Sequence, residues 1–405
     1  MHKQYRQDYV GLTDNKNMTK TIAIIGFGAS GIMSFYNLVD KVALNSLNID
    51  IFDDEFKAGI AYSTSNIHHL LNVRALNISA VFEDKDHFAK WLTKNNYDFG
   101  ELDFVPRKIY GLYLNDIAAK AFKMAKLKGV AVSIYRKKIS EIAEKNNEFV
   151  IDKKSYQASI LAVGGAMSEK NLWKINLDDY LKDPEIHLLG AGLTAFDAIV
   201  SLVDKNYQGK IFLHSRTNKL PQIHSDKNTH NLQPILNPED GYLPLSELFR
   251  KFTKLCKNSN NWRANFDSIR PITVQLWQNL SAQKKKQFMR HCFRLYNTHR
   301  HRCPPQQYKI IADLIAKNQV ILTKEKIKSP KHIECLGFNF SLTNPLIDEL
   351  LRNKIIAKNE LNLGVKSSFE NFIIIGANNF GEMFETTAIN ELKGQSWQAM
   401  KKILS

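Results

Sequence analysis

Cysteine is scarce in this chain of 405 residues: there are four, at 256, 292, 303 and 335, and none belongs to a C-x-x-C pair. That excludes a disulfide framework and a dithiol relay, and it makes a reducing, cytoplasmic setting the default. Glycine (19) and proline (11) are too few for a collagen-like or low-complexity chain. No apolar run approaches the roughly 20 residues of a membrane-crossing helix. The longest candidates, Thr21–Ile25 and Phe372–Ile375, have the length of buried strands. Residues 1–20 lack the apolar stretch of a secretory signal and read as a flexible N-terminal tail. There is no G-x-S-x-G and no metalloprotease motif. His68-His69 and the His299/His301 pair have no carboxylate or thiol at zinc-site spacing, so no metal is expected.

What is present is ordinary globular composition, 44% hydrophobic and 24% charged, in a chain long enough for two or three domains. Lys and Arg number 56 against 40 Asp and Glu, a net charge of +16. Such an excess suits nucleic acid, an anionic membrane, an acidic substrate or cofactor, or a solvated surface with no partner at all. Its densest piece runs from Lys284 to Arg302, with Lys285, Lys286, Arg290, Arg294 and Arg300 between and no acid. Arg290 and Arg294 are four apart, the spacing of neighbours on one helix face. That segment leaves open an anionic substrate, an NADPH phosphate, RNA or a plain basic helix face.

Two nucleotide-binding openings stand in the chain. Thr21–Ile25 is a β-branched strand candidate, followed at once by Gly26-Phe27-Gly28-Ala29-Ser30-Gly31 and a helix-like run from Ile32. In this motif Gly26 permits the tight turn, Gly28 lets backbone approach a pyrophosphate, and Gly31 lets helix and strand close. The helix N-terminus, with Ala29 and Ser30, offers N–H groups to phosphate. The next strand candidate, Ile49–Phe52, ends in Asp53, some twenty residues on, where an acid that binds a ribose hydroxyl belongs. The second opening is Ile186–Leu189, then Gly190-Ala191-Gly192-Leu193-Thr194-Ala195, a helix, and the strand Lys210–His214. Ser215 and Arg216, with no acid, follow that strand; they suit a 2′-phosphate and favour NADPH over NADH. Two further strand candidates end in glycine, at Gly164 and Gly376, where backbone can come close to a ligand. One dinucleotide held and another visiting is the usual use of two such folds, and FAD with a nicotinamide hydride donor is the natural pair.

With these motifs the chain resembles the bacterial FAD–NAD(P)-binding oxidoreductases, relatives of the flavin-dependent N-hydroxylating monooxygenases. The resemblance runs from Thr21 to the end. It is carried by Gly59–Ser63, Leu70–Val73, Phe88–Leu92, Pro106–Leu114, Gly192-Leu193-Thr194 with Asp197, Leu220-Pro221 with His224, His299–Arg302 with Pro304-Pro305, and the closing block Gly376–Gly381, Glu385–Ala388, Glu391 and Gln395. It implies an α/β protein with two Rossmann-like dinucleotide-binding domains, for FAD and NAD(P), and a helical insert. It implies that Asn72 and Arg107 lie near the flavin. Where many related flavoproteins have a Gly-Asp pair against the ribityl chain, this chain has Gly376-Ala377-Asn378, and Asn378 is the expected substitute.

The expected division is a first part of the FAD domain over 21–183, an NAD(P) domain over 184–306 and completion of the FAD domain over 307–405. A helical insert over about 243–296 should cap the cleft and shape substrate access. Its Leu245, Leu248, Phe249, Phe252 and Leu255 recur at helical spacing and read as core. The resulting expectation is an oxidoreductase in which NADPH reduces bound FAD, monooxygenase-like, on an unidentified small molecule, with no catalytic side chain assignable. The rival readings are a flavoprotein that binds or modifies RNA through 284–302, and a nucleotide-binding protein without turnover.

Overall fold

The computed structural model describes residues 19–225, 233–257, 261–340 and 344–405. The expected tail therefore lies, up to residue 18, outside the described residues. From the N-terminal side the elements are β1 (Lys20–Ile25), α1 (Ala29–Lys41), β2 (Leu47–Phe52), α2 (His87–Lys94), α3 (Arg107–Leu127) and β3 (Ala131–Tyr135). A meander of β4 (Ala143–Lys145), β5 (Glu148–Ile151) and β6 (Lys154–Tyr156) leads to β7 (Ala158–Leu161). The strand–turn–helix pattern then returns as β8 (Glu185–Leu189), α4 (Leu193–Asp204) and β9 (Lys210–His214). Five helices follow: α5 (Leu245–Lys257), α6 (Trp262–Ser268), α7 (Thr273–Asn279), α8 (Ala282–His291) and α9 (Phe293–Arg300). The rest comprises α10 (Pro305–Ala316), β10 (Val320–Thr323), β11 (Ile333–Glu334), α11 (Pro345–Arg352), the hairpin β12 (Ile356–Lys358) and β13 (Val365–Ser367), β14 (Phe372–Ile374), α12 (Phe380–Met383) and α13 (Ile389–Leu404).

These strands form two parallel sheets, in the orders β14-β7-β1-β2-β3 and β10-β9-β8-β11. β1 is central in the first, with Ile24 beside Ile51 on one side and Ile160 on the other. A strand covered on both faces should be apolar at every position rather than alternating, and Ile22 to Ile25 are all buried. Its alternation is instead between two cores. Ile22 and Ile24 pack with residues of α1, α3 and α13, while Ala23 and Ile25 pack with the meander, α11 and the β12–β13 hairpin. The fold is thus α/β, with two Rossmann-like units. The second sheet takes β10 and β11 from beyond residue 306, so its strands reach past the expected boundary, and the first sheet is completed by β14.

Two local expectations change. The basic run divides at Cys292, where α8 ends and α9 begins, so Arg290 and Arg294 part company. The apolar stripe of α5 is only in part core: no residue of that helix is fully buried, Leu248, Phe252 and Leu255 pack against the small core of the helical insert, and Phe249 is 37% exposed. Leu245, Leu248, Phe249 and Phe252 also face a cavity.

Candidate functional site

Gly26, Gly28, Ala29, Ser30 and Gly31 form the turn from β1 into α1. Gly26 has φ +94°, a conformation that L side chains rarely adopt, and its N–H donates to the Phe52 carbonyl at 2.8 Å. A Cβ on Gly31 would stand 2.1 Å from the Gly26 carbonyl oxygen, so helix and turn close only because that atom is missing. Gly28 caps α1 without a side-chain hydrogen bond, and the first turn holds no acid. The helix end keeps its donors and its positive dipole. A Cβ on Gly28 would sit 3.4 Å from the Cα of Gly59, so the Gly59–Ser63 loop passes along this turn.

The other residues gathered here come from the carboxyl ends of neighbouring strands, where open α/β sheets hold ligands. Asp53, beyond β2, is largely committed: Oδ2 accepts from the Phe27 N–H at 2.6 Å, and Oδ1 accepts from the N–H groups of Glu55 and Phe56 at 2.9 and 2.6 Å. The carboxylate therefore first braces the glycine turn, and has limited acceptor capacity left for a hydroxyl. Gly164 follows β7 with open space where a Cβ would be. Gly376 follows β14, and a Cβ there would meet Ser30 Oγ at 3.4 Å, which puts the end of the last strand against the start of α1. The Asn378 amide donates to the Gly164 carbonyl at 2.5 Å and so bridges those two strand ends. Glycine turn, uncapped helix end and open strand ends together fit a dinucleotide with its pyrophosphate at α1.

The second opening repeats the device. Gly190 leaves β8 at φ +113°, and Gly192 caps α4 with no side-chain cap and no acid in the first turn. Nothing lies within 4 Å of where a Cβ on Gly192 would be. Leu193 and Thr194 open the helix half-buried, and Ala195 is fully buried beneath it. Ser215 and exposed Arg216 end β9. They have a partner that sequence reasoning missed: Arg294 of α9, whose guanidinium donates to Ser215 Oγ at 2.5 Å. Burial, and then the like charge of Arg216, lower the pKa of Arg294. Two neighbouring cations, one of them on a serine hydroxyl, are the donor set that a phosphate would use. Only the cation-rich composition of 284–302 hinted at this residue.

Asn72 and Arg107 lie at the seam between the folds. The Arg107 guanidinium pairs with Asp197 of α4 at 2.9 Å, and Asp197 is 1% exposed. Gln307 donates to the same carboxylate at 3.1 Å, and Arg107 Nε donates to the Leu70 carbonyl at 3.1 Å. His69 bridges Thr64 and Ser201 through its two ring nitrogens. Arg107 thus locks one fold onto the other. His224 Nε2 donates to the Asn72 carbonyl at 2.9 Å, fixing that backbone from the second fold's side.

The Arg300 and Arg302 of the basic segment are not phosphate ligands. Arg300 makes a two-pronged pair with Glu385 at 2.9 and 3.1 Å, and Arg302 pairs with Asp267 at 2.6 Å; both arginines are buried. Arg270 holds Glu391 likewise at 2.6 and 2.8 Å. Burial alone would raise the Glu385 carboxyl, but Arg300 and Arg270 outweigh it and hold it below the usual range. Lys284 donates to the Tyr242 carbonyl, and Lys285 stands 3.8 Å from Glu360. Lys286 and Arg290 stay exposed, while Arg300 and Arg302 are taken up by internal pairs.

With this geometry in hand, the comparisons are consistent. A family model described as FAD-NAD(P)-binding matches residues 23–165. Among solved structures the chain is similar to the L-lysine 6-monooxygenase of Pseudomonas syringae, at 12% identity and TM-score 0.57 over 96% of this chain and 100% of that one. It is similar to the cadaverine monooxygenase DfoA of Erwinia amylovora, solved bound to FAD, at 10% identity and TM-score 0.55 over 95% and 94%. A third is the ornithine N-hydroxylase of Kutzneria, at 11% and TM-score 0.52 over 95% and 98%. At such identities the likeness is one of fold, that of flavoproteins with two dinucleotide-binding units. No curated protein matches.

Two predictions follow from these contacts. Arg107→Met strands a buried carboxylate and should cost about 3–5 kcal/mol, whereas adding Asp197→Asn should restore part of it. Urea midpoints of both single variants and the double variant measure this; additive losses would refute the clamp. The second concerns pH. Burial, then Arg302, pushes His224 down to about 3; burial, then Arg300, does the same to His301. Unfolded, both titrate near 6.5, so below that pH the unfolded chain binds protons that the folded chain refuses. Stability complete above pH 6.5 should therefore fall as pH drops towards 3, by up to about 1.4 kcal/mol per pH unit for each unmatched proton. Glu385 acts with the same sign at lower pH. A urea midpoint unchanged from pH 7 to pH 5 would contradict neutral burial of the two histidines.

Proposed function

We propose that this chain is an FAD-dependent oxidoreductase that draws electrons from NADPH and acts, monooxygenase-like, on a small molecule. The observation that carries this reading is the presence of two uncapped helix ends behind glycine turns, one backed by Asp53, Gly164 and Gly376, the other flanked by Ser215, Arg216 and Arg294. FAD belongs to the first, supported by the family match over 23–165 and by the FAD-bound cadaverine enzyme of like fold. NADPH belongs to the second, where the paired arginines suit a 2′-phosphate. FAD, once reduced, supplies either oxygen activation or electron transfer; the hydroxylating activities of the similar structures favour the former.

The chain's own residues have defined tasks. Backbone N–H groups of α1 and α4 hold pyrophosphates. Asp53 keeps the first turn in shape, and Asn378 joins the strand ends beneath the flavin region. The Arg107–Asp197 lock sets the distance between the two folds, which hydride transfer between two rings requires. The RNA reading has no comparable support, because Arg300 and Arg302 are consumed by internal ion pairs.

Purified protein should show a bound-flavin spectrum that bleaches on anaerobic addition of NADPH. Colourless protein that takes up no added FAD would sink the proposal. Arg294→Ala and Arg216→Ala should each raise KM for NADPH by roughly 10–100-fold, the loss of one charge-assisted contact, and leave NADH unaffected. Equal effects on the two nucleotides would remove the 2′-phosphate assignment.

A further inference from the structure

The α5 stripe poses a question of packing. Leu248, Phe252, Phe266, Trp277, Phe288 and Phe384 surround a cavity of about 480 Å³. The cavity opens to solvent, so it is a concave apolar site and not a sealed packing void. It lies within the range of small-molecule pockets. Among the described residues its lining includes no Asp or Glu, and Lys257, at its exposed edge, is the one Lys or Arg there. Cys256 and Cys292 contribute thiols that burial raises in pKa, Cys256 to about 11, so at neutral pH they are uncharged lining that reacts slowly through a small thiolate fraction.

One wall of this cavity belongs to the segment that closes the first fold. Phe384 has φ +62° and ψ −65°, and the Glu385 N–H donates to the Met383 carbonyl at 2.8 Å, so it is the centre of a strained γ-turn. The strain is held by stacking on Trp277, with ring centroids 4.6 Å apart, and by the Arg300 grip on Glu385. Strained backbone of this kind gathers at functional sites. Here it turns an aromatic ring from the loop that begins at Gly376 into the cavity wall.

We propose that the helical insert is a binding chamber for a hydrocarbon-bodied acid, its chain among the aromatic rings and its carboxylate towards Lys257. As a substrate assignment this rests on the oxidoreductase reading; as a binding site it does not. A chamber without a carboxylate cannot desolvate a diamine or a basic amino acid. It therefore departs from the lysine, ornithine and cadaverine named for the similar structures.

The test uses the FAD-loaded full chain in its oxidised form, without NADPH, and 11-(dansylamino)undecanoic acid as probe. Energy transfer from tryptophan to the dansyl group should saturate at one probe per chain. Dodecanoic acid should displace it, and lysine or 1,5-diaminopentane at hundredfold higher concentration should not. Cys256→Phe with Cys292→Phe should weaken binding at least tenfold with the circular dichroism and flavin content unchanged, and Lys257→Gln should weaken it severalfold. Unsaturable binding, displacement by the diamine, or full affinity in a folded double variant would each overturn the proposal. Should the double variant not fold, pyrenylmaleimide labelling of Cys256 and Cys292 in the unaltered chain decides. Dodecanoic acid should slow it at least fivefold, and no protection would refute the site. Failure of NADPH to bleach the flavin would remove the redox reading and leave this binding result standing.

Discussion

Four charges taken out of water hold the end of the chain against its middle. Arg270 and Arg300 come from the helical insert, Glu385 and Glu391 from the last loop and helix, and all four are largely buried. Desolvating such groups is expensive, and only paired geometry with full hydrogen bonding offsets it. That condition is met here by two two-pronged arginine–carboxylate pairs, with Tyr296 also donating its hydroxyl to Glu385. Any other docking of insert on loop would leave a charge stranded. The network therefore selects one arrangement as much as it stabilises it, and the strained turn at Phe384 persists because its neighbour Glu385 cannot move.

A second buried pair does the same for the two nucleotide-binding units. Arg107 begins α3 of the first fold, and Asp197 lies in α4 of the second, so a single contact of 2.9 Å ties the helix that follows each unit's early strands. Together the two devices fix three parts of the chain relative to one another through ions rather than through apolar area alone. For the proposed transfer of a hydride between two bound rings, relative placement is the chemistry the protein itself supplies. Apolar contact is non-directional; the paired charges add direction.

The strands, both glycine turns and the α/β class were legible because their signals are local: β-branched runs, glycines at fixed offsets, an acid or an arginine at a strand end. The residues whose roles could not be read are those that depend on distant partners. Arg107, expected near the flavin, also meets Asp197. Arg300 and Arg302, left open within the basic segment, meet Glu385 and Asp267. Leu248 and Phe252 carry the same periodicity whether they face a core or a chamber, because helical spacing reports which side is apolar and not what fills it. Arg294 could not be singled out at all, since what sets it apart from Arg290 is its contact with Ser215, 79 residues away in the chain.

The charge excess of +16 looks different once placed. Three cations of its densest run, Lys285, Arg300 and Arg302, face carboxylates of the chain itself. What stands out is a small group at the end of β9, where Arg294 is half-buried beside Arg216 and its guanidinium donates to a serine hydroxyl. Neither arginine makes an ion pair among the described residues. Two like charges in such a place raise each other's energy. An anion placed between them would reverse the sign of that interaction, which is why the proposed function puts the phosphate of the electron donor at this pair.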